Sequence, residues 1–134
     1  MKNIYVYCMP GMAASSEIFE YIILPETYII YKLDWIIPFQ NESLKLYAKR
    51  ISKKITKPNP ILIGVSFGGI LVQEISKHIS FKKIFIISSI KSSYELPVTM
   101  KMAKKTNIHK ILPFKWINNL DKLALFAFGN GIKK

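Results

Sequence analysis

With a single cysteine in the sequence, Cys8, no internal disulfide can form. Its apolar neighbours offer no base or cation to lower its pKa, so it reads as a buried thiol in a reducing cytoplasm. Histidine is almost as scarce: His78 and His109 stand alone. Without paired ligands at metal-site spacing, neither a structural nor a catalytic zinc is expected. No apolar run approaches the roughly 18 to 20 residues of a membrane-spanning helix. The opening MKNIYVYCMPGMAASSE imitates a signal peptide in its early lysine, but Pro10 and Gly11 cut its apolar run below about seven residues. It reads as a strand and a loop.

Acidic residues are few, 8 against 20 basic ones, for a formal net charge of +12. Such a balance ordinarily points to nucleic acid or an anionic surface. Arginine, however, is nearly missing. Arg50 is the only one, whereas base-edge and bidentate phosphate recognition favour arginine. The lysines of KRISKK, KHISFKK and KMAKK fall on the solvent side or at the ends of expected helices. They read as solvated faces, with no nucleic-acid partner and no stable membrane insertion.

What the chain does have is apolar substance. Half of its 134 residues are hydrophobic and the mean hydropathy is +0.20, enough for one domain with a real core. Four β-branched or aromatic runs have strand length: Asn3 to Met9, Tyr28 to Asp34, Ile61 to Ser66 and Lys83 to Ile90. Helical patterns lie between them. Ser15 to Tyr21 predicts a short helix, and Asn41 can cap a longer one on which Leu44, Tyr47, Ala48, Ile51 and Ile55 recur at helical spacing. A third runs from about Phe67 to Ile79, burying Leu71, Val72, Ile75 and Ile79. Strand alternating with helix predicts right-handed crossovers, hence an α/β fold of three layers: a mostly parallel sheet of about four strands with helices on both faces. After Ile90 no strand-like run follows, and Pro97 and Pro113 divide an apolar remainder into short helical pieces. Residues 1–96 are expected to form the core and 97–134 a helical cap segment over a site.

The stretch ILIGVSFGGILVQEISK sets Ser66 between two glycines where an apolar run gives way to an amphipathic one. It matches the nucleophile elbow, Gly-x-Ser-x-Gly, in which a strand turns sharply into a helix and exposes the serine. By chance alone the pattern has odds of roughly 4 % in a chain of this length, and its position at a strand-to-helix switch lowers them further. Gly64 and Gly68 lack the β-carbons that would collide where strand and helix nearly touch, and Gly69 extends that clearance. The plain alternative is an ordinary turn. A second element supports the elbow: the first strand runs into CMPGMAASSEIF, where Pro10 and Gly11 turn the chain and Met12 offers a backbone N–H.

The elbow and this loop resemble the α/β-hydrolase family, in particular its small single-domain bacterial members with a helical cap. The resemblance covers nearly the whole chain but only about the first half of the family fold. It implies the strand order second, first, third, fourth, with the elbow and the loop after the first strand flanking one crevice. It also implies Ser66 as nucleophile and the N–H groups of Met12 and Phe67 as an oxyanion hole. Pro10 stands where that loop usually has histidine; the backbone donor survives. The substrate would be a small acyl compound, a carboxylic ester or thioester, and no metal or organic cofactor is implied.

The family's acid and histidine follow strands that are not seen after Ile90. His78 lies twelve positions beyond Ser66, too far along one helix to serve. Glu95 follows the fourth strand, where some members carry the acid, though a polar residue before Pro97 is the preferred reading; His109, in the cap, could lean toward the site but has no partner to make it a base, and His78 reads as a surface or groove residue. The chain is therefore expected to be the front part of a longer hydrolase and nearly inactive alone. Two other readings remain: a non-catalytic remnant or binding protein that keeps the pocket, and a cationic surface-binding module built on the lysines and aromatic residues.

Overall fold

The computed structural model describes residues 3–12, 14–92 and 95. The fold reported is that of the first of two compact units, Met1–Lys91; the expected cap segment, 97–134, and His109 within it lie outside the described residues. Four strands, β1 (Ile4–Met9), β2 (Tyr28–Lys32), β3 (Ile61–Val65) and β4 (Lys83–Ile87), alternate with a 3-10 helix (Ser16–Phe19) and two α-helices, α1 (Leu44–Ser52) and α2 (Phe67–Ile75). The strands form one all-parallel sheet in the order β2-β1-β3-β4.

Alternation along each strand divides the core between the two faces. On one face Tyr7, Met9 and Leu62 meet Tyr47, Ala48 and Ile51 of α1 and Leu71, Val72 and Ile75 of α2 in a single buried cluster. On the other, Val6, Cys8 and Ile61 meet Phe19 of the 3-10 helix. The second covering is smaller: β4 leaves Phe85 and Ile87 about half exposed on that side.

Boundaries shift from expectation for local reasons. Ser43, not Asn41, caps α1, its hydroxyl accepting from the Leu46 N–H at 3.3 Å. Asn41 adopts a positive φ of 59° in the preceding turn, a conformation that asparagine tolerates. The third helix ends at Ile75 and the chain continues in turns, so Ile79 packs on the core from outside the helix. β4 stops at Ile87 because Ser88 takes a left-handed φ of 48°. Among the described residues no helix is long and apolar enough to cross a membrane.

Candidate active site

Leaving β1, the chain continues outward on both sides, to β2 on one and to β3 and β4 on the other. The carboxyl ends of β1 and β3 thus bound the crevice where open parallel sheets bind ligands. Met9 pairs with Gly64 at that end, so the two outgoing loops start side by side.

Ser66 is the lone residue between β3 and α2, with φ 52° and ψ −124°. A non-glycine residue there is strained by roughly 1 to 3 kcal/mol, and surrounding structure must hold it. Its own N–H donates to the Ile87 carbonyl at 2.9 Å, tying the turn to the end of β4, while its carbonyl accepts from Gly69 at 2.9 Å. The side chain faces solvent and makes no capping bond to α2. No hydrogen bond engages its Oγ among the described residues.

The glycines perform the steric role expected of them. A β-carbon on Gly64 would lie 2.6 Å from the Cα of Gly69, and one on Gly68 would lie 2.5 Å from the Met9 carbonyl oxygen. Strand, helix and the β1 loop therefore converge at contact distances that only hydrogen side chains permit. Gly69 has a different neighbour: Ser89 Oγ, 2.5 Å from where its β-carbon would be. Gly11 brings the β1 loop against the serine. A β-carbon there would stand 3.3 Å from Ser66 Cβ and 3.9 Å from Oγ.

Met12, next in the chain, is 43 % exposed. No backbone hydrogen bond engages its N–H among the described residues. Phe67 is the first residue of α2, so its N–H has no acceptor within the helix. Phe67 follows Ser66 directly and Met12 follows Gly11, which packs against Ser66; the positive end of α2 adds to the potential for an anion there. Among the described residues no group of three His, Cys, Asp or Glu side chains could hold a metal ion. Glu95 is exposed and falls in the second unit; His78 sits past the end of α2, partly buried.

No protein-family model matches the chain, and no curated protein matches it.

The geometry of the site includes a residue without any motif to mark it. Trp35, in the loop after β2, donates its indole N–H to the Gly11 carbonyl at 2.9 Å. Its ring stacks on Phe67, 5.8 Å between centroids at 25°, and on Tyr47, 6.1 Å at 27°. Tyr47 holds the next residue from both sides, its hydroxyl donating to the Ile36 carbonyl at 2.8 Å and accepting from the Ile36 N–H at 3.0 Å. Burial pushes the Tyr47 phenol above its ordinary pKa, against the opposing pull of that Ile36 bond and of Arg50, so it stays a neutral donor at any physiological pH. Behind it Arg50 donates to the Ile37 carbonyl at 2.8 Å, pairs Nε with Glu42 at 3.0 Å and covers the Phe39 ring at 3.8 Å. Aromatic size and position just after the outer strand beside β1 are the only sequence signals Trp35 carries. A contact 24 residues away in the chain is invisible to local pattern.

A separate cleft lies elsewhere. About 560 Å³, lined by Asn3, Tyr5, Asn59, Phe81 and Lys82 among others, opens at the amino ends of the strands, away from Ser66. It offers no nucleophile beside a base.

Proposed function

We propose that this chain carries the acyl-transfer site of a serine hydrolase of α/β-hydrolase type, acting on a small carboxylic ester or thioester in the cytoplasm. Ser66 is the nucleophile, and the N–H groups of Met12 and Phe67 receive the oxyanion of the tetrahedral intermediate. The observation that carries the reading is the strained, solvent-facing turn of Ser66 between β3 and α2 with Gly11 packed against it. Backbone strain of this kind at a non-glycine residue clusters at functional sites. The buried Cys8 thiol suits a reducing compartment.

In the reaction the Ser66 hydroxyl must lose its proton as Oγ attacks the carbonyl carbon, and the leaving group must depart with the carbonyl restored. No described residue is hydrogen-bonded to Oγ to take that proton. Removing the histidine of a triad costs about a millionfold in turnover, so the unsubstituted chain should hydrolyse p-nitrophenyl acetate and react with a fluorophosphonate only near background. A test that needs no base uses Ser66→Cys. A thiolate attacks unaided, and the helix amino terminus lowers its pKa. Mixed with p-nitrophenyl acetate, this variant should release a burst of one equivalent of nitrophenolate. Its acylation rate, divided by its rate of alkylation by iodoacetamide, should exceed the same ratio for free cysteine by about a hundredfold, since alkylation forms no oxyanion. Cys8, fully buried, stays silent. Equal ratios would leave Ser66 an ordinary turn residue. Robust turnover by the unsubstituted chain, abolished in Ser66→Ala, would instead assign the missing base to His109 or to another chain.

A further inference from the structure

We infer that Trp35 is a positioning residue that aims one oxyanion-hole N–H and braces the other, an inference that rests on the reading of Ser66, Met12 and Phe67 just given. The Gly11 carbonyl and the Met12 N–H belong to one planar trans peptide and point in opposite directions. Whatever fixes the carbonyl therefore fixes the direction of the N–H. The Gly11 oxygen is held by two donors, the Ala14 N–H at 3.1 Å and the Trp35 indole at 2.9 Å. The first is local and turns with the loop. The second comes from a different strand's loop and refers the peptide to the frame of the sheet. The same indole lies flat against the Phe67 ring, 5.8 Å away, at the residue whose N–H is the other donor. One side chain thus holds the peptide that carries one donor and packs on the ring of the residue that carries the other.

Its own position is overdetermined. Tyr47 stacks behind the indole and brackets Ile36 with two hydrogen bonds, so the tryptophan cannot drift without breaking contacts on α1. In a site whose loop offers Pro10 rather than a side-chain donor, this indole supplies the support that keeps the peptide from flipping.

The test pairs Trp35→Phe, which keeps an aromatic ring and deletes the N–H, with Ser66→Cys in the full chain. Misaiming a reacting group by about 1 Å costs as much as about a hundredfold. Acylation by p-nitrophenyl acetate should therefore fall ten- to a hundredfold while alkylation by iodoacetamide stays within about twofold. A purely structural role would slow both reactions together or neither. If Ser66→Cys alone shows no acylation advantage over a free thiol, the site reading falls and this inference with it. If the advantage exists and survives Trp35→Phe, only the role of Trp35 is overturned. Should Trp35→Phe not fold, a measurement on the intact tryptophan decides. Acetaldehyde adds to the introduced thiol as a hemithioacetal, the sulfur bonding to carbon and the thiol proton passing to the former carbonyl oxygen. That adduct should shift the Trp35 indole and Met12 amide proton resonances together; a Met12 shift with the indole unmoved would refute the coupling.

Discussion

Ser66 should be expensive to keep, and replacing it with glycine should make the protein more stable. At φ 52° and ψ −124° the strain on a residue with a β-carbon is about 1 to 3 kcal/mol. Glycine removes it, and returns about 0.5 to 1 kcal/mol because its unfolded chain is freer. The net expectation for Ser66→Gly is a gain of about 1 kcal/mol. Ser66→Ala is the necessary comparison: it deletes the same hydroxyl and keeps the β-carbon. That hydroxyl is exposed and caps nothing, so Ser66→Ala should lie within about 0.5 kcal/mol of the parent. The usual cost of losing a serine cap does not apply, since no capping bond exists to lose. Equilibrium unfolding in urea, with equal slopes confirming the same transition, reads the difference directly. A gain of about 1 kcal/mol also raises Tm by roughly 4 to 8 °C in a domain of this size. A Ser66→Gly protein no more stable than Ser66→Ala would mean that the turn is relaxed and that Ser66 is held in no strain for function.

Gly68→Ala should act in the opposite sense to helix propensity. Alanine in α2 would ordinarily gain about 1 kcal/mol, but its β-carbon would meet the Met9 carbonyl oxygen at 2.5 Å, and overpacking against main chain costs about 1 to 3 kcal/mol or more; a net loss in urea unfolding is expected and a net gain would refute the contact. Cys8 offers a pH signature. Burial pushes its thiol from 9.0 up to about 11, with Lys32 pulling weakly the other way. A raised folded pKa leaves stability intact below pH 9 and erodes it as pH climbs toward 11, by about 2 kcal/mol. Cys8→Ala should be flatter over that window, and parallel pH curves for the two proteins would count against a thiol sealed in the core.

The strands were legible because each is a short apolar run bounded by polar or turn-forming residues, and period 2 assigns Tyr7 and Met9 to one face and Val6 and Cys8 to the other. The sharp turn from β3 into α2 was legible for a steric reason: glycines at 64 and 68 mark a crossing too tight for side chains. Ends were harder. Asn41 and Ser43 are both good caps in isolation, and the choice falls to Ser43 because Asn41 is consumed by a left-handed turn. Ser88 likewise ends β4 by a backbone conformation that the apolar run through Ile90 does not announce. Trp35 was the real gap. An indole after a strand reads as core or surface with equal ease, and only the folded sheet brings it to Gly11 and Phe67.

The Arg50 and Glu42 pair has a bearing on how the protein responds to its ionic surroundings. A molecule with a net charge of +12 has surface potentials that fade as salt rises, because exposed charges are screened beyond about 8 to 10 Å. The loop that carries Trp35 is fastened differently. Glu42's side chain is 4 % exposed and Arg50's 24 %, and the guanidinium also uses a carbonyl and an aromatic face that ions do not compete for. Lysine, a point charge without a planar fork, could not hold all three at once. The chain's one arginine therefore fastens the loop that carries Trp35 through contacts that salt screens least: buffers that rewrite the electrostatics of the lysine-covered exterior should leave the alignment of Gly11, Trp35 and Phe67 in place.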